Sequence, residues 1–305
     1  LKDMDWTPGG TSNDIEDRRD SSGGGGGGFG GFGGFGGGGG GFGGIHLGIG
    51  GTILLLVISY FFHTNLFSIF SGGGSAPSSA VAPVEQGQPN TAQDTAEAPE
   101  VQFVSYVLDD VQKTWSTILP QQAGDRYRHA KLVLYRDQTN AGCGTAQSAT
   151  GPFYCPEDEK VYLDLGFFQE LKSRFGAPGE FAQAYVIAHE LGHHIQKLVG
   201  TQEKVQAAEQ QDRGRANQYS VKLELQADCY AGVWGHTSQQ RGIVHEQDIT
   251  QGMAAAASVG DDRLQRMARG SVNPETFTHG SSAQRTAWFK RGLDSGNMSD
   301  CDTFR

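Results

Sequence analysis

Ala188-His189-Glu190-Leu191-Gly192-His193-His194, inside the stretch Phe181 to Val199, reads His-Glu-x-x-His. Two His at i and i+4 stand one above the other on a single helix face, so both imidazoles can grip one metal ion. Glu190 follows the first His and reaches an adjacent part of that surface, where it can meet a metal-bound water without ligating the metal. Ala182, Ala184, Tyr185, Val186, Ile187, Leu191, Ile195 and Leu198 supply the apolar positions of a helix, and Gly200 is its stop. Such a pentad arises by accident in about one chain in a hundred of this length, so the reading depends on further ligands. His194 points away from the pair and reads as a packed or hydrogen-bonded histidine. His129, His236 and His245 have no partner spacing and read as surface or core.

A catalytic zinc ion takes three protein ligands and keeps its fourth position for water. The best candidate for the third is Glu224, in Glu224-Leu225-Gln226-Ala227-Asp228, on a second helix expected from about Tyr219 to Trp234. Asp228 falls one turn later and faces the same way. It can accept a hydrogen bond from the outer nitrogen of a ligating His, fixing that ring's tautomer. A solvated helix face is the alternative. Leu223, Leu225, Ala227, Tyr230, Ala231, Val233 and Trp234 make this helix too apolar for that.

His-Glu-x-x-His followed by Glu-x-x-Ala-Asp resembles the gluzincin metallopeptidases. More closely, the chain is similar to the bacterial neutral zinc metallopeptidase family of membrane-anchored proteins. The shared features run through nearly the whole chain: Asn13 to Arg19, the Gly-rich stretch, Gly151-Pro152-Phe153-Tyr154-Cys155-Pro156 with Val161 to Asp164, Ala188 to Gln196, Glu224 to Gly232, Gly260 to Gln265, and His279 to Ser282. The resemblance implies an α+β, mainly helical, zincin-like domain with a small sheet. It implies a zinc-dependent endopeptidase acting on a peptide or protein, with Zn²⁺ held by His189, His193 and Glu224 and with Glu190 as general base. By analogy Asp228 orients His189. His279 and Arg285 are candidates for donors to the oxyanion of the tetrahedral intermediate. A His and an Arg in a comparable late segment serve the prenyl-endopeptidase relatives, which usually have Pro where Gly280 stands. For this segment, Ser281 or Ser282 as a helix cap is the simpler reading. Asp261-Asp262 is expected to begin a helix. A latent or inactive scaffold that keeps the zincin shell at the cell envelope is the competing function.

The rest of the chain supplies the setting. Of 305 residues 46 are Gly, most of them between Gly23 and Gly51, which leaves a smaller folded part than the length implies. The formal net charge of −10 and pI near 5.3 argue against a general nucleic-acid binder. Position 1 is Leu, and Met4 is the nearest candidate start. Residues 1–44, polar as far as Ser22 and Gly-rich with interspersed Phe beyond it, are expected to be a disordered tail. The uncharged apolar run from Ile45 to Phe62, extended by Leu66 to Phe70, makes 45–70 a candidate transmembrane anchor. Lys2, Arg18 and Arg19 on its amino-terminal side then place the amino terminus in the cytoplasm. The expected protein is a single-pass one of the bacterial inner membrane with its catalytic domain in the periplasm. Residues 71–100 are expected to be a linker, and 101–305 the metallopeptidase domain.

Within that domain Val104, Val107, Leu108, Val111, Trp115, Ile118 and Leu119 form a helical stripe ending at Pro120. Lys131 to Tyr135, Phe153-Tyr154 and Val161 to Leu165 read as strands, the last a candidate sheet edge on which a peptide could lie extended. Cys143, Cys155, Cys229 and Cys301 suggest two disulfides in an oxidising compartment and free thiols in the cytoplasm. Three pairings exist, and Cys143–Cys155 with Cys229–Cys301 is preferred as the most local.

Overall fold

The computed structural model describes residues 4–20, 91–177 and 179–305, which form a mainly helical α+β chain with two small sheets. The first strand, β1 (Ile15–Asp17), lies in the segment expected to be a disordered tail. The first helix, α1 (Thr91–Gln122), begins inside the expected linker and runs past Pro120. Its apolar stripe behaves as the spacing predicts: Val104, Val107, Leu108, Val111, Trp115 and Leu119 are fully buried. The strand β2 (Lys131–Tyr135) leads into a hairpin of β3 (Gln138–Ala141) and β4 (Gly144–Gln147), then to β5 (Phe153–Cys155) and β6 (Lys160–Asp164).

The larger sheet has the order β1-β2-β6-β5. The β1, β2 and β6 strands run parallel, and β5 runs antiparallel to β6, with Phe153 opposite Tyr162. Val161 to Leu165 is therefore not an edge. Leu132, Val133, Leu134, Val161, Tyr162 and Leu163 are all buried because their two strands fill the sheet centre. The edge left beyond β6 is β5. A disulfide from Cys143 to Cys155 ties the β3–β4 turn to it.

Helices follow: α2 (Gly166–Ser173), α3 (Glu180–Leu198), α4 (Thr201–Gln211), α5 (Ala216–Gln240), α6 (Glu246–Ser258), α7 (Asp261–Arg269) and α8 (Ser282–Ser295). The α5–α8 contact is backbone against backbone. A Cβ on Gly292 would stand 1.9 Å from the Cys229 carbonyl oxygen, and one on Gly232 would stand 2.1 Å from that of Phe289. The disulfide from Cys229 to Cys301 anchors the carboxyl-terminal turn on α5.

The amino-terminal segment is held by charge. Asp14 pairs with His129 at 2.6 Å and Lys131 at 2.8 Å, Glu16 with Lys160 at 2.7 Å, and Arg19 with Glu97 at 2.7 Å. Arg136 joins the two sides of the undescribed segment, reaching Asp20 at 3.2 Å, Asp94 at 2.6 Å and Glu97 at 2.7 Å. Met4 is buried, and Trp6 donates to Glu180 at 3.2 Å.

This pairing corrects the expected membrane topology. No helix among the described residues is long and apolar enough to cross a membrane. The run 45–70, on which the anchor was placed, lies outside the described residues. Residues 15–17 and 131–135 flank that run in sequence yet are hydrogen-bonded neighbours in one sheet. A single crossing between them would put paired strands on opposite sides of a bilayer. The single-pass arrangement with a cytoplasmic amino terminus and a periplasmic domain does not hold.

Partial burial raises the carboxyl pKa values of Asp14, Glu16 and Asp17, but their Lys, His and Arg partners outweigh it and hold all three below the ordinary values of 3.8 and 4.5. A carboxylate depressed in the folded state stabilises it fully above its ordinary pKa, and loses that contribution as pH falls through the depressed value. The backbone amide resonances of Ile15 to Asp17 should therefore keep their strand shifts at pH 4.5 and move to random-coil positions only below 3.8. Release of the strand at pH 6 would contradict the ion-pair account.

Candidate metal centre

Helix α3 buries Phe181, Ala182, Ala184, Tyr185, Ile187, Ala188 and Leu191. With that face packed, His189 and His193 rise one turn apart toward α5. Their rings stand edge to face, with centroids 4.9 Å apart. Glu224 comes from α5 and meets both: Oε2 is 3.2 Å from His189 Nε2, and Oε1 is 3.4 Å from His193 Nε2. Gly192 permits this approach. A Cβ there would stand 2.9 Å from the Ala227 carbonyl oxygen and 3.0 Å from its Cα. One donor atom from each of His189, His193 and Glu224 lies within 4.8 Å of the others. Two imidazoles and one carboxylate, borne on two helices, are a donor set that could hold a metal ion such as zinc.

Around this group lies a second layer of polar contacts. Asp228 has no exposed surface, and its Oδ1 is 2.9 Å from His189 Nδ1. The same carboxylate accepts from Tyr185 Oη, from Arg285 Nε at 2.9 Å and from Arg285 Nη2 at 2.9 Å. Burial raises the Asp228 pKa, but Arg285 and His189 overcome it and hold the group ionised. Burial lowers that of His189, and Asp228 and Glu224 reverse this, pushing it up to about 10 in the metal-free chain. Glu224 is held well below the usual carboxylate range by His279 and His193, against its burial.

Arg285 lines the cleft, but its guanidinium is taken up by buried partners. Only 3% exposed, it is engaged by Asp228, the Tyr185 hydroxyl and the Val259 carbonyl, at 3.3 Å for the last. A buried carboxylate needs a buried cation, which fixes the guanidinium behind His189. His279 is different. It lines the cleft, and Asp261 holds its backbone by accepting from the N–H groups of Thr278, His279 and Gly280 at 2.7, 2.6 and 3.0 Å. Burial lowers the His279 pKa, while Glu224 and Asp261 outweigh it and shift it upward. Gly280 has φ 88°, a value closed to a proline ring. The turn therefore differs from the one a proline-bearing relative can make. Ser281 caps α8, with Gln284 closing the capping box, as the simpler reading of this segment requires.

Glu190 lines the same cleft, and its burial raises its carboxyl pKa against the pull of His189 and His193. The cleft has a volume of about 470 Å³. Its walls include Phe153, Phe167, Phe175, Val186, Leu264 and Met267, with Tyr154 from the β5 edge. His194 packs away from the metal group, between the Tyr154 hydroxyl at 3.0 Å and the Arg128 carbonyl at 2.7 Å. Sequence reasoning did not assign a site role to Tyr185 or Gln196, or to Asp261 in holding the backbone of residues 278–280. Tyr185 sits one turn before His189, and Gln196 lies three residues after His193. Helical spacing was the available signal for both.

A model of the family described as "Putative neutral zinc metallopeptidase" matches residues 4–304 of this chain. Uncharacterized protein YpfJ of Escherichia coli K12 is 42% identical over 304 residues, 99% of each chain. Uncharacterized protein Rv2575 of Mycobacterium tuberculosis H37Rv is 43% identical over 207 residues, 64% of this chain and 68% of its own. No solved structure matches the chain.

Because the methyl of a Gly192→Ala variant meets backbone and not a movable side chain, it should cost about 1–3 kcal/mol of stability. Chemical denaturation of the metal-free protein measures this, and wild-type stability would show that the helices are not in close contact at Gly192.

Proposed function

The chain belongs to this neutral zinc metallopeptidase family, and we propose that it is a zinc-dependent endopeptidase with a zincin-like site. The observation that carries the proposal is the convergence of His189, His193 and Glu224 on one point, in a cleft that also holds Glu190. Bound zinc supplies a Lewis acid and a water of lowered pKa.

The chain's own residues do the rest. Asp228 and its partners hold His189 so that Nε2 faces the metal position. Glu190, which lines the cleft beside the three-residue group, takes a proton from the attacking water and delivers it to the leaving amine. His279, held by Asp261, donates a hydrogen bond to the oxyanion of the tetrahedral intermediate. Arg285 holds Asp228 and stands 3.8 Å from Glu224 Oε2. An extended peptide adds to the β5 edge and places an apolar side chain among Phe153, Phe167, Phe175 and Met267. The competing reading is a latent or scaffold protein that binds zinc without turning over.

The test measures zinc content and cleavage of quenched-fluorescence peptides, with Leu or Phe beside the scissile bond, by the full chain and by Glu190→Gln. Both should bind one zinc per chain, and the variant should lose about 10²–10⁴-fold in rate, the scale of general acid–base catalysis. Zinc in both with no cleavage by either would support the scaffold. Undiminished cleavage by Glu190→Gln would exclude Glu190 as the base.

A further inference from the structure

His189 is oriented by a carboxylate, whereas His193 is oriented by an amide. Gln196, 1% exposed, places Oε1 2.9 Å from His193 Nδ1. Its Nε2 donates to the Leu223 carbonyl at 2.7 Å and to Gln226 Oε1 at 3.1 Å. Both acceptors require an NH₂ group at that end, which fixes the oxygen at the other. An amide oxygen only accepts, so His193 Nδ1 carries the hydrogen and Nε2 keeps its lone pair. Nε2 is the atom 3.4 Å from Glu224 Oε1.

The same amide also reaches the third ligand's helix. Leu223 directly precedes Glu224, so the bond to the Leu223 carbonyl ties α3 to α5 beside the carboxylate. Gln226, 5% exposed, continues the chain by donating from Nε2 to the Cys301 carbonyl at 3.1 Å. Cys301 is itself fixed to α5 by its disulfide with Cys229.

We infer that Gln196 is a positioning residue of the metal centre. It sets the His193 tautomer and the His193–Glu224 spacing together, with Gln226 and the disulfide-anchored Cys301 carbonyl as its support. This rests on the reading of the three-residue group as a zinc site.

The test is zinc affinity of the full chain, by competition with a chromophoric chelator, for wild type, Gln196→Ala, Gln196→Glu and Gln226→Leu. The melting of each metal-free form is recorded alongside. Gln196→Ala should weaken zinc by about 10–100-fold, the usual scale for losing a ligand's outer partner. Gln196→Glu should also weaken zinc, because its carboxylate still accepts from His193 Nδ1 but has no donor for the Leu223 carbonyl and Gln226 Oε1. Gln226→Leu, which leaves His193 and its acceptor in place, should show a smaller loss and decides the matter if Gln196→Ala does not fold. Wild-type affinity in Gln196→Ala, wild-type affinity in Gln196→Glu, or unchanged affinity in Gln226→Leu would each overturn the inference. Wild type that binds no zinc would instead remove the site itself.

Discussion

The buried carboxylate of Asp228 is the point through which core and site depend on each other. It lies on α5 and binds Tyr185 and His189 of α3 and Arg285 of α8. An ion moved from water into a protein interior costs several kcal/mol unless its partners are well placed. Here Arg285 supplies the opposing charge, and Tyr185 and His189 take up the remaining lone pairs. Taking away one partner of such a pair costs about 3–5 kcal/mol, because the other charge stays buried and uncompensated. The packing of three helices and the orientation of His189 are therefore a single arrangement.

Close backbone contact makes that arrangement possible. Gly192 lets α3 approach Ala227, and Gly292 lets α8 approach Cys229. At those separations Glu224 reaches both imidazoles and Arg285 reaches Asp228. The cleft beside them, at about 470 Å³, falls in the range of about 300–1,000 Å³ usual for ligand pockets. It combines apolar walls with a few polar groups that already have partners. Preorganised groups of this kind suit a reaction in which charge develops at one atom.

That His189, His193 and Glu224 come together was legible because a helix repeats every 3.6 residues. His189 with His193, and Glu224 with Asp228, are each one turn apart. The stripe from Val104 to Leu119 and the strand Lys131–Tyr135 were legible for the same kind of reason. The strand β1 was not. Ile15-Glu16-Asp17 has no alternating apolar pattern: Ile15 packs on the core, Asp17 pairs with the nearby Arg19, and Glu16 reaches Lys160, remote in sequence. A charged edge strand and a solvated tail look alike until those partners are placed. Val161 to Leu165 was read as an edge although its run of buried residues belongs to a sheet centre. Arg285 was read by analogy with relatives, and only the placement of Asp228 shows where its charge is needed. The topology drawn from the run 45–70 considered each segment alone. The pairing of β1 with β2 is a long-range fact that hydropathy does not carry.

The central claim is that two imidazoles and one carboxylate from α3 and α5 hold a zinc ion. Zinc-edge X-ray absorption on the full chain loaded with one equivalent of zinc tests it most directly. The account predicts two imidazole nitrogens with oxygen completing the shell, at about 2.0–2.2 Å. It also predicts loss of one imidazole in His193→Ala. A shell of oxygen alone, a sulfur ligand, or a spectrum unchanged by His193→Ala would contradict it.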